Sequence, residues 1–178
     1  MSLPLAHAFM GGSLTAATWP VKTPAGLRRG LLVGAILGAC PDVDYLINWV
    51  RVFGPGWHHG FTHSVLFALV VGAGASWVFG VRGWRGALVC IGAVLSHPLL
   101  DYLTTYSRGL LLWWPVTDQR FKLGNEAWSY YRFAGDSQVW IAIVKMGVIE
   151  LLVFGTAFAI SVRCSRRRYR VADPVDPR

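Results

Sequence analysis

A chain of 178 residues with 54% hydrophobic and only 15% charged side chains is more apolar than soluble domains, which carry about 45–50% and about 25%. The bilayer is therefore the expected solvent. The formal charge of +8 fits nucleic acid, anionic lipid or membrane topology, but its distribution argues against nucleic acid. The basic groups Lys22, Arg28 and Arg29, then Arg82 and Arg85, then Arg163, Arg166, Arg167, Arg168 and Arg170 each border an apolar run, instead of interleaving with aromatics on a polar surface.

In chain order, Met1 to Ala8 lacks the basic start of a cleaved signal peptide and is expected in the mature chain. Leu3 to Trp19 is apolar apart from His7 and long enough for a tilted or partial crossing. Leu31 to Val50 reads as a broken or kinked span, because Pro41 disfavours helix at Cys40 and Asp42 and Asp44 are costly in lipid. Ser64 to Val81 has 18 residues without a formal charge, close to the length that crosses a hydrocarbon core of ~30 Å. Trp84 to Leu103 is a further span, apolar beyond Arg85 at its border except for His97 and Asp101. Thr104 to Gln138 is a long, polar, aromatic-rich stretch, and Val139 to Val162 a last span interrupted by Lys145 and Glu150. The expectation is an all-α polytopic membrane protein of four to five membrane segments. It has one domain over 1–165 and a basic, disordered tail over 166–178. Cys40, Cys90 and Cys164 are scattered and form no CxxC pair, which leaves no disulfide framework or thiolate zinc site.

With the three basic groups in the cytoplasm, His7, Asp42, Asp44, His58, His59, His63, His97 and Asp101 all fall on the opposite face. His97 and Asp101, four apart, share one helix face; against a metal site stands a buried histidine satisfied by an aspartate. Three histidines within six positions beside a span start favour metal over packing, although spacing does not choose between His58 and His59. Thr62 is expected to cap the next helix, placing His63 in its first turn. Asp42 is the better ligand candidate of its pair. Asp44 can bridge a second ion, orient a histidine or cap a helix. Imidazole with carboxylate and no thiolate suits zinc first among divalent metals, and seven candidate ligands allow one ion or two.

Ala6-His7, Pro41-Asp42-Val43-Asp44, His58-His59-Gly60-Phe61-Thr62-His63-Ser64 and Ser96-His97-Pro98-Leu99-Leu100-Asp101, in this order, resemble the YdjM-type family of membrane-bound metal-dependent hydrolases. The likeness continues through Leu103-Thr104-Thr105-Tyr106, Leu112-Trp113-Trp114-Pro115 and Asp118-Gln119-Arg120-Phe121, covering about residues 5–123. It implies metal or catalytic roles for His7, Asp42, Asp44, His58, His63, His97 and Asp101. His59 stands where the family often has arginine, so the resemblance casts it as an orienting or substrate-binding group. After Phe121 the chain departs from the family pattern, with Lys122-Leu123-Gly124-Asn125-Glu126 and one more span. A looser likeness to zinc-dependent phospholipases C points to a phosphoester.

The resulting expectation is an inner-membrane hydrolase with its site periplasmic and its C-terminus cytoplasmic. Asp42, His63, His97 and Asp101 hold the principal ion, and Asp44 or His59 acts as general base or orients the ligands. Arg108, Arg120, Lys122 and Arg132 adjoin the site to hold phosphate, and Trp113, Trp114 and Trp128 sit at the interface. The rivals are a metal-ion carrier with Lys145 and Glu150 on its pathway, and a catalytically silent structural subunit.

Overall fold

The computed structural model describes residues 2–20, 23–45, 58–105, 108–123 and 139–171. Among them it is all-helical: α1 (Pro4–Thr18), α2 (Pro24–Ala39), α3 (Val65–Val78), α4 (Trp84–Thr104) and α5 (Val139–Val171), with 3-10 turns at Cys40–Val43 and Phe61–His63. Trp128, Arg132, residues 46–50 of the second expected span, and 172–178 of the expected tail lie outside the described residues.

Local chemistry sets the helix ends. Pro24 opens α2 at the position where a missing N–H costs nothing, and the Thr23 hydroxyl accepts from the Gly26 N–H at 3.0 Å. At the end of α3, Gly80 adopts φ 64° and the Val81 N–H reaches back to the Ser76 carbonyl at 2.9 Å, a Schellman close. That close corrects the expected span over Ser64–Val81. The helix has 14 residues, about 21 Å at ~1.5 Å per residue, short of a hydrocarbon core of ~30 Å. Thr62 does not cap it either: the Ser64 hydroxyl accepts from the Phe67 N–H at 3.1 Å, and His63 stays in the preceding 3-10 turn.

Among the described residues, two helices are long and apolar enough to cross a membrane: Trp84–Thr104 (α4), and Ile143–Arg168 within α5. The four to five expected segments thus become two of spanning length and three shorter helices. Arg166 to Arg168, placed in a tail by the sequence reading, form closing turns of α5.

α1 and α2 run antiparallel at close range. Gly30, Gly34 and Gly38, four apart on α2, face Trp19 just past the end of α1, and Thr15 and His7 on it. A Cβ on Gly34 would strike the Thr15 hydroxyl, and one on Gly38 the His7 carbonyl. Small residues at this spacing let membrane helices approach backbone to backbone. α4 packs against α1, α2 and α3. α5 runs parallel to α1 on the outside: the Leu3 N–H donates to Glu150 Oε2 (2.8 Å) and the Ser165 hydroxyl to the Ala16 carbonyl (2.6 Å). Its outer face, with Val144, Val148, Leu151 and Leu152, is exposed and apolar, as a lipid-facing surface requires. This path gathers the start of α1 and the ends of α2 and α4 at one end of the bundle. Arg28, Arg29, Arg82, Arg85 and Arg166 to Arg168 occupy the other.

Candidate metal centre

Four elements converge at the first end. α1 supplies His7, the turn after α2 supplies Asp42 and Asp44, the segment before α3 supplies His58, His59 and His63, and the last turns of α4 supply His97 and Asp101. His63, His97 and Asp101 are 0% exposed. All eight candidates from the sequence therefore meet in one buried cluster.

Hydrogen bonds on the far side of each ring assign its tautomer. His97 Nδ1–H donates to the Gly38 carbonyl at 2.7 Å, which leaves the Nε2 lone pair facing inward. His63 Nδ1–H donates to the Thr62 hydroxyl (3.1 Å), which donates onward to Asp44 Oδ2 (3.0 Å). His58 Nδ1–H donates to Asp44 Oδ1 at 2.9 Å. Three imidazoles thus turn Nε2 toward the cluster. Asp44 is the anchor of this set, since its Oδ2 also accepts the His59 backbone N–H at 3.0 Å.

His63 Nε2 and His97 Nε2 lie 3.1 Å apart. Asp101 Oδ2 is 3.3 Å from His97 Nε2 and 3.4 Å from His63 Nε2, and Asp42 Oδ1 is 3.4 and 3.9 Å from the same two atoms. Two lone pairs at that separation repel unless a proton or a cation lies between them. A proton serves two atoms, whereas four converge here. Ligands at 2.0–2.1 Å around a tetrahedral zinc stand about 3.3 Å from one another, the spacing of this cage. Asp42 Oδ1 and both Asp101 oxygens are buried without a hydrogen-bond partner, a heavy cost for carboxylates unless a cation offsets it. The donor set and its spacing fit a divalent ion.

The other histidines border the cage. The His7 ring stacks on His97 at 3.6 Å between centroids, with Nε2 3.4 Å from Asp101 Oδ1. His59 Nε2 is buried, without a hydrogen-bond partner, and 3.6 Å from Asp101 Oδ2. Ligand atoms of His58, His59 and His63 lie within 4.8 Å of one another. His59 has φ 63°, a strained conformation for a residue with a side chain. It is pinned there: its N–H goes to Asp44, and its carbonyl accepts from Leu111 N–H (3.2 Å) and Arg120 Nη1 (3.4 Å). Burial and the neighbouring His58 depress the His59 pKa to about 3, so the ring is neutral at pH 7. Burial works against protonation of His63 as well, but there the Asp101 and Asp44 carboxylates outweigh it and raise the pKa.

The hydrogen bonds of the remaining candidates bear on their roles. Asp44, a candidate general base or histidine-orienting group, has both oxygens taken by protein donors, among them His58 Nδ1–H and the Thr62 hydroxyl that holds His63. Arg120 supports the wall of the site, binding the carbonyls of His59 and of Gly109 (2.9 Å). Arg108 is exposed nearby and electrostatically coupled to Arg120. Glu150 holds the start of α1, whereas Lys145, in the second turn of α5, is exposed. Thr62, the Gly38 carbonyl and Tyr45, whose ring lies 3.9 Å from that of His58, were missed. Only Thr62, adjacent to His63, carried a signal, and it read as a helix cap.

Residues 1–168 match the family model described as YdjM inner membrane protein. Inner membrane protein YbcI of Escherichia coli (strain K12) is 39% identical over 103 residues, which cover 52% of this chain and 57% of that protein. The chain therefore matches little more than half the length of this relative. No solved structure matches.

Proposed function

Since the chain belongs to the YdjM inner membrane protein family, we propose that it is a membrane-embedded, metal-dependent hydrolase of esters, in particular phosphoesters, at the bilayer surface. One observation carries this reading: His63 Nε2 and His97 Nε2 lie 3.1 Å apart, and Asp101 Oδ2 and Asp42 Oδ1 each approach both of them, at 3.3 to 3.4 Å and 3.4 to 3.9 Å. These residues hold the principal ion, with zinc the metal best suited to the donors. His7, His58 and His59 stand where a second ion would find its ligands. A divalent ion in such a cage supplies Lewis acidity and lowers the pKa of water to ~7.

The protein's own groups do the rest. Gly38, Thr62 and Asp44 hold the imidazoles in the liganding tautomer. His59, neutral and with Nε2 unengaged, positions the attacking water through a hydrogen bond; its low pKa makes it a weak proton store. Asp42 and His58 keep 12% and 16% side-chain exposure, against 0% for His63, His97 and Asp101, so substrate enters along their edge. Arg108, exposed beside Arg120, supplies charge toward a phosphate group. The exposed Trp113 and Val116 of the neighbouring loop seat this end at the headgroup level. With the basic end in the cytoplasm, the cage faces the periplasm.

The test uses the full chain purified in mild detergent. It should carry near-stoichiometric zinc and hydrolyse bis(p-nitrophenyl) phosphate or a p-nitrophenyl ester in a chelator-sensitive manner. The H97A variant should lose both while keeping its helical circular dichroism. Undiminished metal in H97A sinks the cage assignment; full metal without hydrolysis of either probe sinks the hydrolase.

A further inference from the structure

The basic end of the bundle holds a second feature, separate from the metal centre. A cavity of about 250 Å³ opens between the end of α1, the start of α2 and the α3–α4 turn, lined among others by Trp19, Thr23, Gly26, Arg29 and Gly80. Trp19 is 0% exposed, and its indole Nε1–H has no hydrogen-bond partner. A buried indole N–H without an acceptor is costly, and tryptophans in such places normally reach one. Thr23, Ala25 and Gly26 at the start of α2 also line this cavity, which brings the positive dipole end of that helix to it, although Pro24 has no N–H and the Gly26 and Leu27 N–H groups are held by Thr23.

Arg29 lines the same cavity, and no described carboxylate is in position to neutralise it. Asp42, Asp44 and Asp101 are at the metal end, and Glu150 is level with Leu3. Arg28 and Arg82, next in sequence to the lining residues Arg29 and Val81, add charge of the same sign. Topological sorting by the bilayer accounts for the basic residues. It does not account for a fully buried tryptophan donor, an arginine and a helix N-terminus sharing one cavity.

We infer that this cavity binds a phosphate group, carried either by an anionic phospholipid headgroup or by free phosphate. The Arg29 guanidinium and Trp19 Nε1–H are its donors, and the α2 N-terminus faces it. Basic cavities between helices at the cytoplasmic surface suit such headgroups, and the Arg fork matches phosphate oxygens.

The experiment follows the thermal unfolding midpoint of the full chain in neutral detergent. One arm titrates inorganic phosphate against chloride at matched ionic strength; the other titrates short-chain phosphatidylglycerol against phosphatidylcholine. A saturable rise with phosphate or with phosphatidylglycerol is expected. W19F, which keeps the ring and loses the N–H, and R29Q should each weaken it by about tenfold or more, the weight of one charge-assisted hydrogen bond. H97A should retain it, which separates this cavity from the metal cage. A response to phosphatidylglycerol alone identifies the headgroup as the source, and a response to inorganic phosphate identifies the free ion. No saturable rise in either arm, or a rise that W19F and R29Q both leave unchanged, overturns the inference.

Discussion

Replacing Asp44 by Asn tests how the histidines are set. Asp44 Oδ2 accepts two donors, the His59 N–H and the Thr62 hydroxyl, each at 3.0 Å, and Oδ1 accepts His58 Nδ1–H at 2.9 Å. The new amide keeps its carbonyl where two donors converge, so its NH₂ turns toward His58. That ring must then accept at Nδ1 and carry its proton on Nε2, where it no longer offers a lone pair. His63 keeps Thr62 but loses the negative charge 3.3 Å from its Nδ1. Groups that orient metal ligands in this way are worth about 10–100-fold in affinity, or about 1.4–2.7 kcal/mol. Competition with a chromophoric chelator at pH 7.4 reads zinc affinity directly, and S165A, whose hydroxyl bonds the Ala16 carbonyl far from the cage, is the matched control. Unchanged zinc affinity in D44N, with S165A also unchanged, would refute the orienting role.

Further perturbations probe other links. G38V should drive α2 away from the His7 carbonyl and lower stability by about 1–3 kcal/mol; because the Gly38 carbonyl moves with it, zinc should weaken too, as denaturant titration and chelator competition would show. E150L should destabilise the fold by removing the acceptor of the Leu3 N–H, whereas E150Q, which keeps one, should stay within about 1 kcal/mol of the parent chain. His59 gives a pH prediction for the chelator-treated protein. Its folded pKa of about 3 lies below the ordinary value near 6.5, so the unfolded chain binds the extra proton. Its contribution is full above pH ~6.5 and is lost as pH falls toward ~3. H59N, whose side chain tolerates a positive φ, should flatten the fall in melting midpoint across that window; an identical slope would remove His59 from the account.

Composition, the charge-free run after Ser64 and the three arginine-rich borders sufficed to read a helical membrane protein, because burying a charge in hydrocarbon is costly whatever the fold. The His97–Asp101 spacing was legible for a similar reason, since residues four apart must share a helix face. The motifs also named all eight residues of the cluster. What they do was not legible. Whether Asp44 serves as a base or orients rings depends on donors from His58, His59 and Thr62, which reach it across 14 to 18 positions of chain. The His97 tautomer depends on the carbonyl of Gly38, 59 positions away. Arg120 looked like a phosphate ligand but reaches the backbone of His59. Helix length was misread at Ser64–Val81 because a glycine-closed terminus ends the helix while hydropathy runs on. Hydropathy is additive along a chain and can be read locally, whereas the direction of a lone pair is set by whichever distant group folding brings to the other side of the ring.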